Sequence, residues 1–475
     1  MIKEVSKLYA KFIQHFPFHP TTRQDQLLEQ LAQFVLNDHK QSLFLLKGYA
    51  GTGKTTIIST LVNNLWHSGL KAVLLAPTGR AAKVIGIYSN RPAFTIHKKI
   101  YHPKKNKSGG LSFVLQKNKH TNTIFIVDEA SMIPDRSVDA KLFENRSLLD
   151  DLLFYIYSGK NCRLILIGDT AQLPPVKLEL SPALNTHALT YNYDKEVEEI
   201  ELNEVMRQHE ESGILFNATQ LRVILNDDYL SDFTFNIGYP DMIRLTDGYE
   251  IQDAIHDAYG NDGVEDTAFI VRSNKRANQY NQQIRNSILG HENEITTGDY
   301  VMIVKNNYFW LKDSTEVGFI ANGDICEILE IFNFKSLYDF NFAEVKLRMI
   351  DYPKQAPFET VLLLDTLQSE SPSLTYEESN RLYQEIAKDY ADENSKYKVM
   401  LSIKNNIFFN ALQVKFSYAM TCHKSQGGQW DNVFIEQPYL PNGQDISYLR
   451  WLYTAVTRAQ KKLYLIGFKD EYFEE

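Results

Sequence analysis

Cysteine is scarce: the 475 residues hold three, Cys162, Cys326 and Cys422, far apart and without ligand or disulfide spacing. That excludes a disulfide-stapled secreted fold and leaves no structural metal site to expect. A reduced, cytoplasmic compartment is the plain expectation, each thiol serving as a small core residue. Long apolar runs are missing too. No stretch approaches the roughly 18 residues that a bilayer span requires, and the opening MIKEVSKLYAKFIQHF alternates charged and apolar positions at helical spacing, so neither secretion nor membrane insertion is expected. Basic residues are not in excess: 50 Lys and Arg stand against 59 Asp and Glu, a net charge of −9. This excludes a surface coated in positive charge but permits a basic channel, because nucleic-acid affinity follows local charge. Solenoid repeats and long low-complexity linkers are absent, as are clustered carboxylates of a fused nuclease outside one acidic helix.

What is present is an ordinary globular composition, 44% apolar and 23% charged, over a length that suits about three domains. One stretch organises it. Gly48 to Thr56, GYAGTGKTT, fits the phosphate-loop pattern G-x-x-x-x-G-K-[ST] with nothing missing. Gly48, Gly51 and Gly53 let backbone N–H groups close around phosphates, with Thr52 between them. Lys54 sets a point charge on the β- and γ-phosphates, the Thr55 hydroxyl suits Mg²⁺, and Thr56 continues into the helix. SLFLLKG before the loop reads as a buried strand and TTIISTLVNNLWHSG after it as a helix whose N-terminus faces the anion.

Further motifs fall at strand ends. HPTTRQDQLLEQLAQFV is a turn and a helix capped by Thr21 or Thr22, with Gln24 either an adenine contact or a solvated glutamine. KAVLLAPTGRAAKVIG is strand, turn and helix, so Thr78 and the amides after it can hold a phosphate at a sheet edge. His97 to His120 carries seven lysines and no acidic residue around Ser108-Gly109-Gly110. It reads as a basic β-hairpin, and the missing counter-charge favours a polyanion over a merely solvated face. TIFIVDEASM ends in Asp128-Glu129, a pair suited to Mg²⁺ and to activating a water, and CRLILIGDTAQLPPV ends in Asp169 with Gln172 as a γ-phosphate sensor.

From about 210 the alternation of helix and strand resumes as a second α/β unit. It is interrupted by strand-rich sequence from ITTGDYVMIVKNNYFWL onward, where Asn322-Gly323 is a hairpin signal and FAEVKLRMIDY and FETVLLLDTL are strands, as in a small β-barrel insert. SLTYEESNRLYQEIAKDYADE, with the capping box Thr375-x-x-Glu378, reads as a peripheral helix. The α/β pattern returns with LQVKFSYAM as a strand, then FIEQPY, a helix SYLRWLYTAVTRA and a last strand KLYLIG.

In order, Gln24 in TTRQDQLL, GYAGTGKTT, APTGRAAKV, TIHKKI, VDEASM, GDTAQLPPV, LNEVMRQ, GDYVMIVKNN, NGDICEI, YAMTCHKSQGG and LYTAVTRA resemble the motifs of superfamily 1B helicases of the RecD and Dda-like, Pif1-related group, from residue 21 to 459. The resemblance implies an α/β fold of two RecA-like P-loop domains. A β-hairpin is inserted in the first and an SH3-like β-barrel in the second. The expected division is a helix over 1–20, a first domain over 21–210 with the hairpin at 98–120, a second domain over 211–300 and 405–475, and the barrel insert over 301–404. By resemblance the catalytic set is Lys54, Asp128, Glu129, Gln172, Arg207 and Arg458, the arginines acting as fingers on the charge that develops in phosphoryl transfer. ATP is the expected nucleotide, and Mg²⁺ would sit on Thr55 and Asp128. Gln429 stands where relatives often carry a ribose-binding glutamate. Thr78, Thr95, His97, Lys98, Thr421 and His423 would follow the strand backbone. Phe94, Trp310 and Trp430 would stack bases, with core packing as the alternative for each.

The function so implied is an ATP-dependent 5′–3′ DNA helicase or translocase working as a monomer on single strands and single-strand/duplex junctions. Two alternatives stay open at this point: an RNA-directed helicase of the same superfamily, and a nucleotide-switched nucleic-acid-binding subunit of a repair complex.

Overall fold

The computed structural model describes residues 2–37, 39–105, 111–134, 147–204, 211–227, 229–311, 319–393 and 395–474. The first half of the chain is built on a sheet whose central strands are too apolar to face water on either side. β1 (Ser42–Gly48), β2 (Lys71–Ala76) and β3 (Ala93–Thr95) lead to a separate antiparallel pair, β4 (Tyr101–Lys105) with β5 (Leu111–Leu115). β6 (Thr121–Val127), β7 (Lys160–Gly168) and β8 (Glu196–Leu202) then complete a six-stranded parallel sheet of order β3-β2-β6-β7-β1-β8. Parallel strands need both faces covered, and alternate residues of β1 supply the two faces. Phe44 and Leu46 meet α1 (Ile2–His15), α2 (Thr22–Leu36) and α3 (Lys54–Asn64) through Phe12, Leu28, Ile58 and Leu61. Leu43 and Leu45 meet Leu149 and Leu152 of the helix Leu148–Tyr157. The basic stretch thus supplies β4 and β5, while its Ser108-Gly109-Gly110 lies outside the described residues.

The second parallel sheet has the order β16-β10-β17-β18-β9, from β9 (Met242–Leu245), β10 (Thr267–Val271), β16 (Ala419–Thr421), β17 (Trp430–Glu436) and β18 (Ala459–Ile466). Between β10 and β16 the chain makes a closed barrel of β11 (Tyr300–Ile303), β12 (Ile325–Leu337), β13 (Phe340–Met349), β14 (Phe358–Leu363) and β15 (Leu412–Phe416). The molecule is therefore α/β, two RecA-like sheets with a hairpin in the first and a barrel in the second.

Two local expectations change. LQVKFSYAM is not one strand: Leu412–Phe416 closes the barrel against β11 and β14, and Ala419–Thr421 joins the second sheet beside β10. The run is apolar throughout, so its period gives no sign of the break. Asn322-Gly323 does not turn a hairpin but leads into β12, with Gly323 at φ 95°. The two-residue turn between β12 and β13 is Tyr338-Asp339, at φ 58° and 59°. This is the primed geometry that matches strand twist, reached here without glycine or asparagine. The Tyr338 hydroxyl, bonded to Asp389, holds it.

Candidate nucleotide and strand site

β6, β7 and β1 are neighbours in the first sheet, so the residues after them meet at one edge. After β1 comes the glycine loop, with Gly51 and Gly53 at φ 74° and 84°, conformations that a β-carbon disfavours. Lys54 folds back over the loop, its Nζ donating to the carbonyls of Gly48 at 2.7 Å and Tyr49 at 2.8 Å. α3 starts at Gly53 with no side-chain cap. Its first amides are thus left for another acceptor.

After β6, Glu129 takes a left-handed backbone, φ 53°, unusual for a residue with a β-carbon, and its amide donates to Asp128 Oδ1 at 2.9 Å. Burial, then the Glu129 carboxylate, raise the Asp128 pKa to about 7, against the Glu129 amide and the Lys54 charge. A divalent cation bound there would offset the repulsion. After β7, Asp169 is buried and Gln172 is buried with its Oε1 lacking a partner among the described residues. An uncapped helix, an orphaned amide oxygen and a carboxylate held up by burial are what a Mg²⁺-nucleotide would satisfy, so the residues fit ATP and Mg²⁺. Beside Thr55 and Thr56 opens a cavity of about 550 Å³ walled by Phe18, Trp66 and Tyr88.

The second sheet reaches into this edge through the helix Ile446–Val456. The Tyr453 hydroxyl accepts from the Ala50 amide of the loop at 3.0 Å and donates to Asp169 Oδ2 at 2.7 Å. Thr454 Oγ1 accepts from the Leu173 amide at 2.8 Å, and Gln426 Nε2 donates to the Leu173 carbonyl at 2.6 Å. Arg222 lies over the Tyr49 ring at 4.6 Å. Tyr453, Thr454, Gln426 and Arg222 escaped the sequence reading. The first three lie inside YTAVTRA and HKSQGG, the motifs that signalled them; Arg222 has no such signal.

Other expected residues sit as follows. Gln24 is buried, with Nε2 donating to the Thr52 carbonyl and Oε1 accepting from the Thr21 amide, both at 3.0 Å. It braces the cap of α2 to the loop rather than presenting its amide to an adenine. Arg458 is also buried and turned inward, bonding Thr454, Gly428 and Thr457, so as a finger it has first to leave these partners. Arg207 lies outside the described residues. Gln429 is exposed, and Gln460 Nε2 bridges it to the Tyr88 hydroxyl on the cavity wall.

Of the residues expected to follow a strand, Thr78 caps α4 (Gly79–Ser89) and Thr95 caps the turn that carries His97 and Lys98. Gly427 comes so close that a β-carbon there would stand 3.2 Å from Thr78 Oγ1, which joins the HKSQGG turn to this face. Thr421 and His423 lie at the end of β16 on that turn. Burial lowers His97 to about 4, which leaves a neutral imidazole at neutral pH. Lys98 and Lys99 stand over the Phe94 ring at 5.9 and 5.0 Å. Two aromatics are corrected. Trp430 is 2% exposed beneath the Arg80 guanidinium, 4.3 Å away, and packs between the domains instead of offering a face to a base. Trp310 packs on the barrel, its Nε1 donating to the Asn410 carbonyl at 2.8 Å. Large rings contribute most by burial, fully for Trp430 and in part for Trp310.

A phosphate loop whose site is completed by a second RecA-like sheet defines a P-loop nucleotide site shared by two domains. Residues 21–223 match the AAA domain family and residues 416–466 the UvrD-like helicase C-terminal domain family. The ATP-dependent DNA helicase dda of Enterobacteria phage T4 is 23% identical over 89% of this chain and 93% of its own. The ATP-dependent RecD2 DNA helicase of Deinococcus radiodurans is 34% identical over 36% of this chain and 21% of its own. An uncharacterized protein of Methanocaldococcus jannaschii is 24% identical over 93% of this chain, which spans 38% of that relative's length. A crystal structure of Pif1 helicase from Bacteroides in complex with ADP-AlF3 and ssDNA aligns over 96% of this chain and 95% of its own, at 15% identity and a TM-score of 0.48. These matches agree with the resemblance to superfamily 1B helicases of the RecD and Dda-like group that the motifs carry. Among the described residues no helix is long and apolar enough to cross a membrane.

Proposed function

We propose that this chain is an ATP-dependent 5′–3′ DNA helicase that moves along a single strand and parts the duplex ahead of it. The observation that carries the reading is the Tyr453 hydroxyl, bonded to the phosphate loop at Ala50 and to Asp169 from a helix of the opposite domain. A change at the phosphates is felt there by the second sheet at once.

ATP lies on the glycine loop with Lys54 on its phosphates, and Glu129 takes a proton from the water that attacks the γ-phosphorus as the bond to the ADP oxygen breaks. Thr55 and Asp128 would hold Mg²⁺, which would supply neutralising charge at the phosphates. Gln172 senses the γ-phosphate, and Arg458 and Arg207 close on the developing charge. Thr78, Thr95 and His97 grip the strand from the first domain, Thr421 and His423 from the second. Alternate closing and opening of the cleft then moves one grip past the other. Domain limits of 21–210, 211–300 with 405–475, and 301–404 belong to this reading. So do a monomeric motor and a basic hairpin over 98–120 acting as the wedge.

The test is unwinding of a short duplex carrying a 5′ or a 3′ single-stranded tail, with Lys54→Ala as control. Activity from the 5′ tail alone is expected. Activity from the 3′ tail alone would overturn the polarity, and stimulation by RNA but not DNA would overturn the substrate.

A further inference from the structure

Among the cavities that the nucleotide and strand site does not use, one lies in the barrel insert. It measures about 580 Å³ and lies between the chain leaving β11, the helix Tyr376–Lys388 and the segment before β15. Two near-copies of one hexapeptide, Lys305-Asn306-Asn307-Tyr308-Phe309-Trp310 and Lys404-Asn405-Asn406-Ile407-Phe408-Phe409, contribute to its walls, the first through Lys305 to Phe309 and the second through Lys404, Asn405 and Phe409.

The copies also fold alike. Asn307 Oδ1 accepts from the amides of Phe309 at 3.0 Å and Trp310 at 3.4 Å, and Asn406 Oδ1 accepts from those of Phe408 at 2.9 Å and Phe409 at 3.1 Å. These are paired asparagine turns, each presenting aromatics behind a lysine. Asn410 joins them: its carbonyl accepts from Asn307 Nδ2 and from Trp310 Nε1, both at 2.8 Å. Across the cavity the Tyr383 ring meets Phe409 edge to face at 6.2 Å, and Tyr376 stands 86% exposed at the rim.

The lining chooses its ligand. Among the described residues it offers aromatic rings, carboxamides and two lysines, and no acidic side chain. Glu378, on the same helix, is drawn into the capping box, accepting from the Thr375 amide at 2.8 Å and hydroxyl at 2.9 Å. Rings stack on a base, carboxamides pair with its edge, and an ammonium neutralises the adjoining phosphate. An acidic peptide would use only the lysines. The position agrees: Tyr308, on the cavity wall, lies 5.1 Å from the Phe319 ring, which in turn meets His97 at 6.5 Å.

We propose that this cavity is a second single-strand site, taking one unpaired nucleotide of a strand that runs past His97. The identity of the ligand rests on the functional reading above; the site itself rests on the paired turns.

The test uses the full chain and oligonucleotides with 5-iodouracil at successive positions, irradiated and mapped. Crosslinks from one position are expected on Tyr376, Tyr383 or Phe409. The double variant Lys305→Glu, Lys404→Glu, and separately Tyr376→Ala at its exposed ring, should weaken binding of a strand of about 20 nucleotides roughly tenfold, while a strand of about 8 binds and stimulates ATPase as before. Crosslinks confined to Phe94 and His97, with both variants unaffected, would overturn the site and leave the helicase reading intact. Saturable binding of polyglutamate that depends on Lys404, without strand crosslinks, would overturn it in favour of a protein partner. Failure of the wild-type chain to bind either strand would overturn both readings.

Discussion

The two parallel sheets pass from strand to helix in the same way and do opposite things with it. In the first, β1 runs through the glycine loop into α3, whose N-cap Gly53 offers no side chain to the first amides. In the second, β10 reaches its helix, Asn274–Gln283, through Arg272 and Ser273 alone, and Ser273 accepts from the Arg276 amide at 3.2 Å. That edge is then closed by its own ion pair: Arg276 Nε donates to Glu436 Oε2 at 2.9 Å, and the Tyr280 hydroxyl bonds Glu436 Oε1 at 2.8 Å. A helix N-terminus becomes an anion site when sequence leaves it unoccupied, and a structural joint when sequence fills it. Every other described N-cap of a helix of ten residues or more carries a side-chain cap, so α3 is the exception.

The most severe break of this asymmetry is at Arg458, which belongs to the second sheet yet is assigned to the first sheet's chemistry. Arg458→Ala should lower strand-stimulated kcat by about 10³-fold or more, the range for an arginine finger. Turnover within a few-fold of wild type would restrict Arg458 to its present inward bonds with Thr454 and Gly428. Next comes Tyr453→Phe. It strands the Ala50 amide and an Asp169 oxygen, about 1–3 kcal/mol or roughly tenfold to hundredfold. The loss should appear in strand stimulation of the ATPase, while basal turnover changes little. Equal loss in both would make Tyr453 a brace of the loop and not a link between sheets.

The first edge was legible in the sequence because its signals are local. A glycine loop, two acidic residues after an apolar strand and a threonine before a helix each show within ten residues, and the barrel strands and the capping box at Thr375 show in the same way. What escaped is contact between distant segments. Tyr453 and Asp169 are 284 residues apart, and nothing in the period of either segment names the other. Trp430 reads as either a stacking residue or a core ring until Arg80 is found above it. Gln24 reads as a base contact until its two amide ends are found engaged. The break in LQVKFSYAM depends on which sheet each half pairs with, a tertiary choice that an unbroken apolar run cannot express.

A smaller effect tests how the barrel is seated on the first domain. Asp324 is buried beside Gly79 of α4, where Tyr352, Asp351, Lys83 and Arg80 also gather. Burial raises its pKa to about 8, helped by Asp351 and opposed by the Ala321 amide. With the folded value above the unfolded one, the folded state holds the extra proton between about pH 4 and 8. Stability is therefore full below that window and is lost as pH rises through it. Asp324→Asn keeps an acceptor for Ala321 and removes the proton. The variant should match wild type near pH 4.5 and exceed it increasingly toward pH 8 in thermal denaturation. A difference that does not change with pH would mean that Asp324 is already ionised.

The least disruptive change asks whether the second edge is only a joint. Ser273→Ala removes one cap, which costs about 1 kcal/mol of stability to unfolding. The Arg276–Glu436 pair remains to hold the helix on β17, so kcat and the strand concentration for half-stimulation should stay within twofold of wild type. The informative failure is the reverse pattern, in which denaturant stability is unchanged and strand-dependent ATPase falls several-fold. An N-terminus that loses activity with its cap would be an anion site on the second sheet as well, and the contrast drawn between the two edges would not hold.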